Sequence, residues 1–349
     1  MPVLSRRVPS PLSRRAFMAG AAIAASGAMV GRASAGVPIR LLMDWRVEGP
    51  LAPFLVAQEK GYFGAEGLDV VFETVSGARQ SVTQLGSGEF DAAFADVNAL
   101  IRFRDANPGQ DPKAVMMVHD RPAFAVIGRR SRGIAPVPAS LEGRKLGAPA
   151  GDSAFAQWPV FSKLNQIDEG KVKLENIGFP VREPMLASGE VDGFFGFGSS
   201  SLPSLKARGV PADDIVVMAM ADHGLQLYGN AVMVSQKFAA KEPGAVRGLL
   251  RAILRGIRDV AANPEAGVQL VVKRAENAQP DVERERLMMS LEQNVLTPYV
   301  KQQGLGGIEP ARWAQAIDQL ALAQPLKDKA RARETFTDAY LPAKEDRLF

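Results

Sequence analysis

The stretch Ile39–Thr74, IRLLMDWRVEGPLAPFLVAQEKGYFGAEGLDVVFET, contains the first β–α–β pattern of this 349-residue chain. Ile39–Met43 is a mainly apolar run typical of a buried strand. Leu51–Glu59 has the spacing of a helix, which ends near the glycine of Lys60-Gly61. Leu68–Thr74 alternates apolar and polar residues, as a second strand would. Because strand, helix and strand follow in this order, the stretch favours an α/β fold around a mainly parallel sheet.

The same alternation continues along the chain and divides it into two lobes. Strands are predicted at Phe90–Ala95, Ala114–Val118 and Ala123–Ile127, and they complete a first lobe. After the Gly/Pro-rich connection Arg132–Pro138, a second α/β set begins, and from Pro243 onward the pattern is helical. We predict a first lobe of residues 36–127 and 230–349 and a second lobe of residues 128–229, with a ligand cleft between them.

The first 35 residues have the pattern of an export signal. Ser13–Met18 is a twin-arginine motif, Ala16–Val30 is a weakly apolar run, and Ala33-Ser34-Ala35 is a small-x-small cleavage site. The apolar run is too short and too rich in alanine and glycine for a spanning helix. We expect twin-arginine export, cleavage after Ala35 and a product in the periplasm.

Composition excludes several function classes. The chain has 42 basic and 38 acidic residues, but five arginines lie in residues 1–35, so the remainder has 37 basic residues and a net charge of −1. No net basic field remains to attract nucleic acid. The absence of cysteine excludes disulfides and a lipoprotein anchor. With only His119 and His223, no histidine-rich metal site is possible, and we expect neither a metal nor a cofactor. These histidines are expected to be turn residues or ligand donors.

Several phrases of the sequence resemble a known family in the family's own order. They are Val56–Phe63, Glu66–Val70, Leu85–Asp91, Leu186–Asp192, Glu242–Val246 and Ala262–Ala266. Together they span roughly residues 38–275 and resemble periplasmic solute-binding proteins of the nitrate/sulfonate/taurine and thiamine-pyrimidine branch. The resemblance implies a type II periplasmic binding fold: two α/β lobes joined by a two-strand hinge, with a ligand cleft between them.

Met43-Asp44-Trp45 resembles the Leu-Asp-Trp step of the thiamine-pyrimidine binders, in which the tryptophan is expected to stack on a heteroaromatic ring. Asp44 and Trp45 directly follow the first strand and should face the cleft. Stacking on an indole is worth roughly 1–3 kcal/mol, and Asp44 would accept from a ring N–H. Alternatively, Trp45 covers the core and Asp44 caps a helix, and neither contacts a ligand. Arg46–Gly49 departs from the family's pattern, so the resemblance does not assign the ligand of those relatives to this chain.

Other candidate ligand contacts lie where strands give way to helices. Ser76, Gly77 and Ala78 would offer backbone N–H groups at a helix start, with Arg79 as an alternative anion ligand. Gly151 and Ser153 occupy the equivalent place in the second lobe, where Asp152 or Ser153 is also an ordinary N-cap. The remaining candidates are Glu48, Asp96, Arg182, Phe195, Tyr228 and Asn230. The simplest interpretation of Asp96 is a helix cap, and an aspartate at the position of Asp192 more often has a structural role than a ligand contact.

The resemblance implies a periplasmic solute-binding component of an ABC importer, not an enzyme. It would capture a small, pyrimidine-like or thiamine-precursor ligand by hinge closure and deliver it, as a monomer, to a permease with its ATPase. The alternatives are a small-anion binder, for sulfonate, nitrate or carboxylate, and a sensor protein. A third is an enzyme like the thiamine-pyrimidine synthases, whose cysteine-rich iron motif this chain lacks.

Overall fold

The computed structural model describes residues 36–349, so the predicted signal peptide lies outside the described residues. The strands are β1 (Val37–Met43), β2 (Leu68–Thr74), β3 (Ala92–Asp96), β4 (Lys113–Met117), β5 (Phe124–Arg129), β6 (Lys145–Gly147), β7 (Lys173–Glu175), β8 (Gly193–Phe197), β9 (Ile215–Ala219) and β10 (Asn230–Val234). The helices are α1 (Ala52–Glu59), α2 (Tyr62–Ala65), α3 (Ala78–Gly86), α4 (Val97–Ala106), α5 (Ser153–Ala156), α6 (Trp158–Leu164), α7 (Arg182–Ser188), α8 (Gly198–Ala207), α9 (Gln236–Lys241), α10 (Pro243–Ala262), α11 (Pro264–Arg274), α12 (Pro280–Ser290), α13 (Pro298–Gln303), α14 (Pro310–Ala323) and α15 (Lys329–Arg333).

Two five-stranded sheets confirm the predicted pair of α/β lobes. The first sheet has the order β2-β1-β3-β10-β4, and the second has the order β7-β6-β8-β5-β9. In the first sheet β10 is antiparallel to β3 and β4, and in the second β5 is antiparallel to β8 and β9. Each sheet therefore receives one strand from a part of the chain that has crossed over from the other lobe.

The two crossovers run side by side between the sheets, over residues 118–123 and 220–229. The backbone N–H of His119 donates to the Asn230 carbonyl at 2.9 Å, and that of Gly229 donates to the His119 carbonyl at 3.0 Å. The predicted lobe boundary at residue 127 falls inside β5, whose partners both belong to the second sheet. Phe124–Ile127 is a uniformly buried apolar run, which suits the interior of either lobe and so hides the crossover.

Helix α10 fixes the first lobe. Its apolar side chains Val246, Leu249 and Ile253 are fully buried, and each such side chain contributes about 1.5–3 kcal/mol by leaving water. A Cβ on Gly256 would lie 2.2 Å from the Pro53 carbonyl oxygen, so α10 and α1 pack backbone to backbone. This contact holds the segment between β1 and α1, which carries the site residues.

The C-terminal helices contact both lobes, although residues 230–349 were predicted to belong to the first. Strand β10 and helix α10 do join the first lobe, but α12 packs against α8 and α14 packs against α6. The Nζ of Lys163 in α6 donates to the Leu322 carbonyl at 2.7 Å. Among the described helices, none is both long and apolar enough to cross a bilayer.

Candidate functional site

A narrow cavity of about 30 Å³ lies between the two lobes, and we call it the first cavity. It is lined by Asp44, Trp45, Gly77, Ala78, Gly151, Asp152, Ser153, Phe179, Arg182, Phe197 and Ser200. Seven of these eleven residues are sequence-predicted candidates, and they come from both lobes. The carboxyl ends of the central strands meet here, since Asp44 and Trp45 follow β1 and Gly151 to Ser153 follow β6.

Two aromatic rings from opposite lobes meet at this cavity. The centroid of Trp45 lies 4.9 Å from that of Phe179, with the rings at 67° in an edge-to-face arrangement. The turn Phe179–Val181, which contains Pro180, presents the Phe179 ring. Sequence reasoning missed Phe179; its one signal is an aromatic residue before a proline in a loop. The exposed part of Trp45 is available to a planar ligand.

Asp44 is a buried carboxyl at the inner end of the cavity. Both of its oxygens accept from Nδ2 of Asn230, each at 3.1 Å. Burial, with a smaller contribution from the neighbouring Asp96 carboxylate, raises the pKa of Asp44 to about 7. Asn230 does not line the first cavity. It orients Asp44 from β10, where it pairs in register with Asp96 of β3.

Asp96 is a second buried carboxyl beside Asp44. Burial raises its pKa to about 7, against hydrogen bonds from the backbone and side chain of Asn98 and from the Ser153 hydroxyl. As predicted, Asp96 caps α4, accepting from the Asn98 N–H at 3.0 Å. With both pKa values near 7, one carboxyl of the pair can donate a proton while the other accepts. This suits a ligand with adjacent donor and acceptor atoms.

Arg182 lines the first cavity, but its charge is compensated. Its side chain is buried, with Nη1 at 3.3 Å from Asp152 Oδ2 and Nε at 2.9 Å from Glu183 Oε1. Burial raises the pKa of Asp152, and Arg182 counteracts that rise. The guanidinium lies 5.3 Å from the Trp45 ring centroid and 5.7 Å from that of Phe179. It therefore supports the aromatic pair and is not a free anion site.

The lobes touch directly beside the cavity. Gly77 has φ +108°, and a Cβ there would lie 2.7 Å from the Gly151 carbonyl oxygen. Ser76, also predicted as a ligand contact, is exposed and takes part in this contact through its carbonyl. Glu48 bridges the lobes at a different place: it is 3% exposed and accepts from the Ser200 hydroxyl at 2.9 Å.

Several candidates lie away from the first cavity. Phe195 is fully buried and packs with Trp158 at 5.4 Å between centroids. Phe197, two residues along the same face of β8, lines the cavity instead. Tyr228 is fully buried, and its hydroxyl accepts from the Glu309 N–H at 2.9 Å. Both side chains were predicted as ligand contacts, but in the structure they pack in the core.

The sequence left open whether four further titratable side chains contact a ligand, and none of them lines the first cavity. Arg79 is exposed and outside the first cavity. Asp192 accepts from the Lys145 N–H at 2.9 Å. His119 lies buried in the crossover, which lowers its pKa to about 4, and His223 lies half-buried against Phe161. Within residues 36–349, no three acidic or histidine side chains converge to hold a metal ion.

Comparison with known sequences decides the family. The sequence profile of the family described as NMT1/THI5 like matches residues 50–267, which is more than half of the chain. The chain belongs to this family. The matched region runs from the start of α1 to α11 and so includes both crossovers and all of the second sheet.

Two relatives that match most of this chain carry names of binding proteins. Riboflavin-binding protein RibY of Chloroflexus aurantiacus is 28% identical, over 87% of this chain and 86% of the relative. A formylaminopyrimidine-binding protein of Halalkalibacterium halodurans is 25% identical, over 86% and 89%. A 4-amino-5-hydroxymethyl-2-methylpyrimidine phosphate synthase of Aspergillus parasiticus is also 25% identical, but over 66% and 69%.

Solved structures show the same fold. The aliphatic sulphonate-binding protein SsuA of Escherichia coli superimposes with a TM-score of 0.66 at 12% identity, covering 89% of this chain and 92% of that one. The nitrate-binding protein NrtA of Synechocystis PCC 6803 gives 0.66 at 13% identity, covering 90% and 91%. Both are periplasmic binding proteins, which confirms the predicted fold class.

Proposed function

We propose that this protein is the solute-binding component of an ABC importer and that it holds a small heteroaromatic ligand between its lobes. The observation that carries the proposal is the pairing of Trp45 and Phe179, one from each lobe, over a cavity that also holds the buried carboxyl of Asp44. A ligand that stacks on Trp45 and bonds Asp44 contacts both lobes only when they are together. Its binding energy therefore favours the closed form.

The charges around the first cavity favour a heteroaromatic ligand over a small anion. Arg182 is the one cationic side chain among its lining residues, and two carboxylates neutralise it. Asp44 adds a further acid. An anion such as sulfonate or nitrate would meet this surplus of carboxylates, whereas a ring with N–H groups would find acceptors. The names of the two binding-protein relatives both denote heteroaromatic ligands.

The remaining parts of the proposal concern location and partners. The protein is exported by the twin-arginine route, acts as a monomer in the periplasm without a lipid anchor, and docks in its closed form on a membrane permease with its ATPase. It is a binder and not a synthase. The thiamine-pyrimidine synthases of the family that this chain resembles are expected to use a cysteine-rich iron motif, and this chain contains no cysteine.

A thermal-shift screen tests the function. Purified protein is heated with pyrimidines, thiamine precursors, flavins, sulfonates, nitrate and carboxylates. A ligand at about a hundred times its Kd adds roughly 2.7 kcal/mol, which raises Tm by several degrees. We expect the rise with a heteroaromatic, its loss in Trp45→Ala and its retention in Trp45→Phe, which keeps a ring. A rise with anions only would overturn the ligand class.

A further inference from the structure

A second and larger cavity adjoins the first. It has a volume of about 390 Å³ and shares four wall residues with the first cavity, namely Ala78, Gly151, Asp152 and Ser153. It also lies between the lobes, since α3 and α4 of the first lobe and α5 of the second contribute to its wall. The shared wall residues place a ligand in the first cavity directly beside the second.

The two cavities differ in chemistry. Where the first has Trp45 and Phe179, the second has buried polar side chains: Asp96, Asn98, Ser153 and Gln157 line it, each at most 8% exposed. Asn98 Oδ1 has no hydrogen-bond partner among the described residues. A buried amide oxygen without a partner loses the hydrogen bond that it would make in water, and such groups are rare in folded proteins. This wall offers donors and acceptors close together.

Cationic side chains stand at the rim of the second cavity. Arg79, Arg102 and Lys327 line it. Arg102 donates to the Leu320 and Gln324 carbonyls, and none of the three forms a salt bridge with another residue in the described range 36–349. An oxygen-rich group that extends from the buried polar wall toward this rim finds donors along its whole length.

We propose that the second cavity receives a hydroxylated chain carried by the ring that the first cavity binds. The inference rests on the proposed function and narrows it, because the ligand becomes a heteroaromatic polyol and not a bare pyrimidine. The hydroxyls of such a chain both donate and accept, which matches the carboxyl, amide and hydroxyl groups of Asp96, Asn98, Gln157 and Ser153. A bare ring would leave these groups without ligand partners.

Calorimetric titration of the purified protein with two matched pairs of compounds tests the inference. One pair is riboflavin and lumiflavin, which has the same isoalloxazine ring with a methyl group in place of the ribityl chain. The other pair is uridine and uracil, which lacks the hydroxylated sugar. We expect the chain-bearing member of at least one pair to bind at least tenfold more tightly than its bare ring. Equal or tighter binding of the bare ring would overturn the inference and leave the heteroaromatic function standing. No binding of any of the four would count against both.

Two variants separate the cavities. In Gln157→Leu, loss of a hydrogen-bonding partner should cut the preference for the chain-bearing compound about fivefold, while the bare ring binds within twofold of its original affinity. Trp45→Ala should weaken both members of a pair alike and leave their ratio unchanged. An unchanged ratio in Gln157→Leu would overturn the assignment of the chain to this cavity.

Discussion

Ser200 of the second lobe donates its hydroxyl hydrogen to Glu48 of the first lobe, with 2.9 Å between Oγ and Oε2. Arg286 of α12 completes the contact, since its Nε donates to the Ser200 carbonyl at 3.3 Å and its Nη1 pairs with Glu283. Glu283 in turn accepts from the Gly49 N–H at 2.7 Å. These five residues form a buried polar bridge between the lobes. The Arg286 guanidinium is the cationic partner of Glu283, whereas Glu48 also pairs with Arg46, whose Nη2 lies 2.7 Å from Glu48 Oε1.

Arg286→Met should therefore destabilise the protein strongly. The methionine fills a similar volume but leaves Glu283 buried without a cation, while Glu48 keeps Arg46. Loss of the only cationic partner of a buried carboxylate costs about 3–5 kcal/mol. Urea unfolding followed by tryptophan fluorescence measures the loss. Arg284→Met is the matched control two residues away on the same helix: its guanidinium is 41% exposed and pairs with Glu265 and Asp281. Such a surface pair is worth under about 1 kcal/mol. Equal losses in the two variants would disprove the bridge.

The contact between Gly77 and Gly151 predicts a closure defect. In Gly77→Ala the new Cβ would meet the Gly151 carbonyl oxygen at 2.7 Å and force the lobes apart. We expect a larger radius of gyration by X-ray scattering in the presence of ligand, and at least tenfold weaker binding. Gly88→Ala is the control, because Gly88 has φ +77° but nothing within 4 Å of its Cβ position. It bears the backbone strain of about 1–2 kcal/mol without the clash. If it weakens binding equally, strain and not closure is responsible.

The buried acid pair predicts a pH dependence of stability. The folded-state pKa of Asp44 is raised from 3.8 to about 7, so the folded protein keeps a proton that the unfolded chain loses. Stability contributed by the protonated carboxyl is present at low pH and is lost as the pH rises from about 4 to about 7. Asp44→Asn removes this loss. Relative to the unaltered protein, the free energy of unfolding of the variant should therefore rise by about 2–3 kcal/mol as the pH is raised from 5 to 8.

Urea unfolding of both proteins at pH 5 and pH 8 measures this difference. His119 acts in the opposite direction, because its pKa is lowered to about 4 and stability is lost as the pH falls below 6.5. It is present in both proteins and cancels from the comparison. A difference between the two proteins that does not change with pH would mean that Asp44 is ionised throughout.

The sequence predicted those site residues whose position depends only on the strand or helix next to them. Asp44 and Trp45 follow β1 without an intervening residue, and Gly77 and Ser153 begin or precede helices, so their place at the sheet edge follows from the strand and helix pattern alone. Phe179 and Ser200 reach the first cavity only because the second lobe packs against the first. No local pattern encodes that packing, and sequence reasoning missed both residues.

For Tyr228 the sequence predicted a position near the crossover but not the direction of the side chain. The side chain points into the core, 5.9 Å from the Trp313 ring centroid, and its hydroxyl accepts the Glu309 N–H. Burial raises its pKa to about 12. Tyr228→Phe should therefore cost about 1 kcal/mol of stability through the lost hydrogen bond and leave ligand affinity within twofold. Calorimetric titration and urea unfolding on the same preparation check both values. A tenfold loss of affinity with unchanged stability would return Tyr228 to the ligand site.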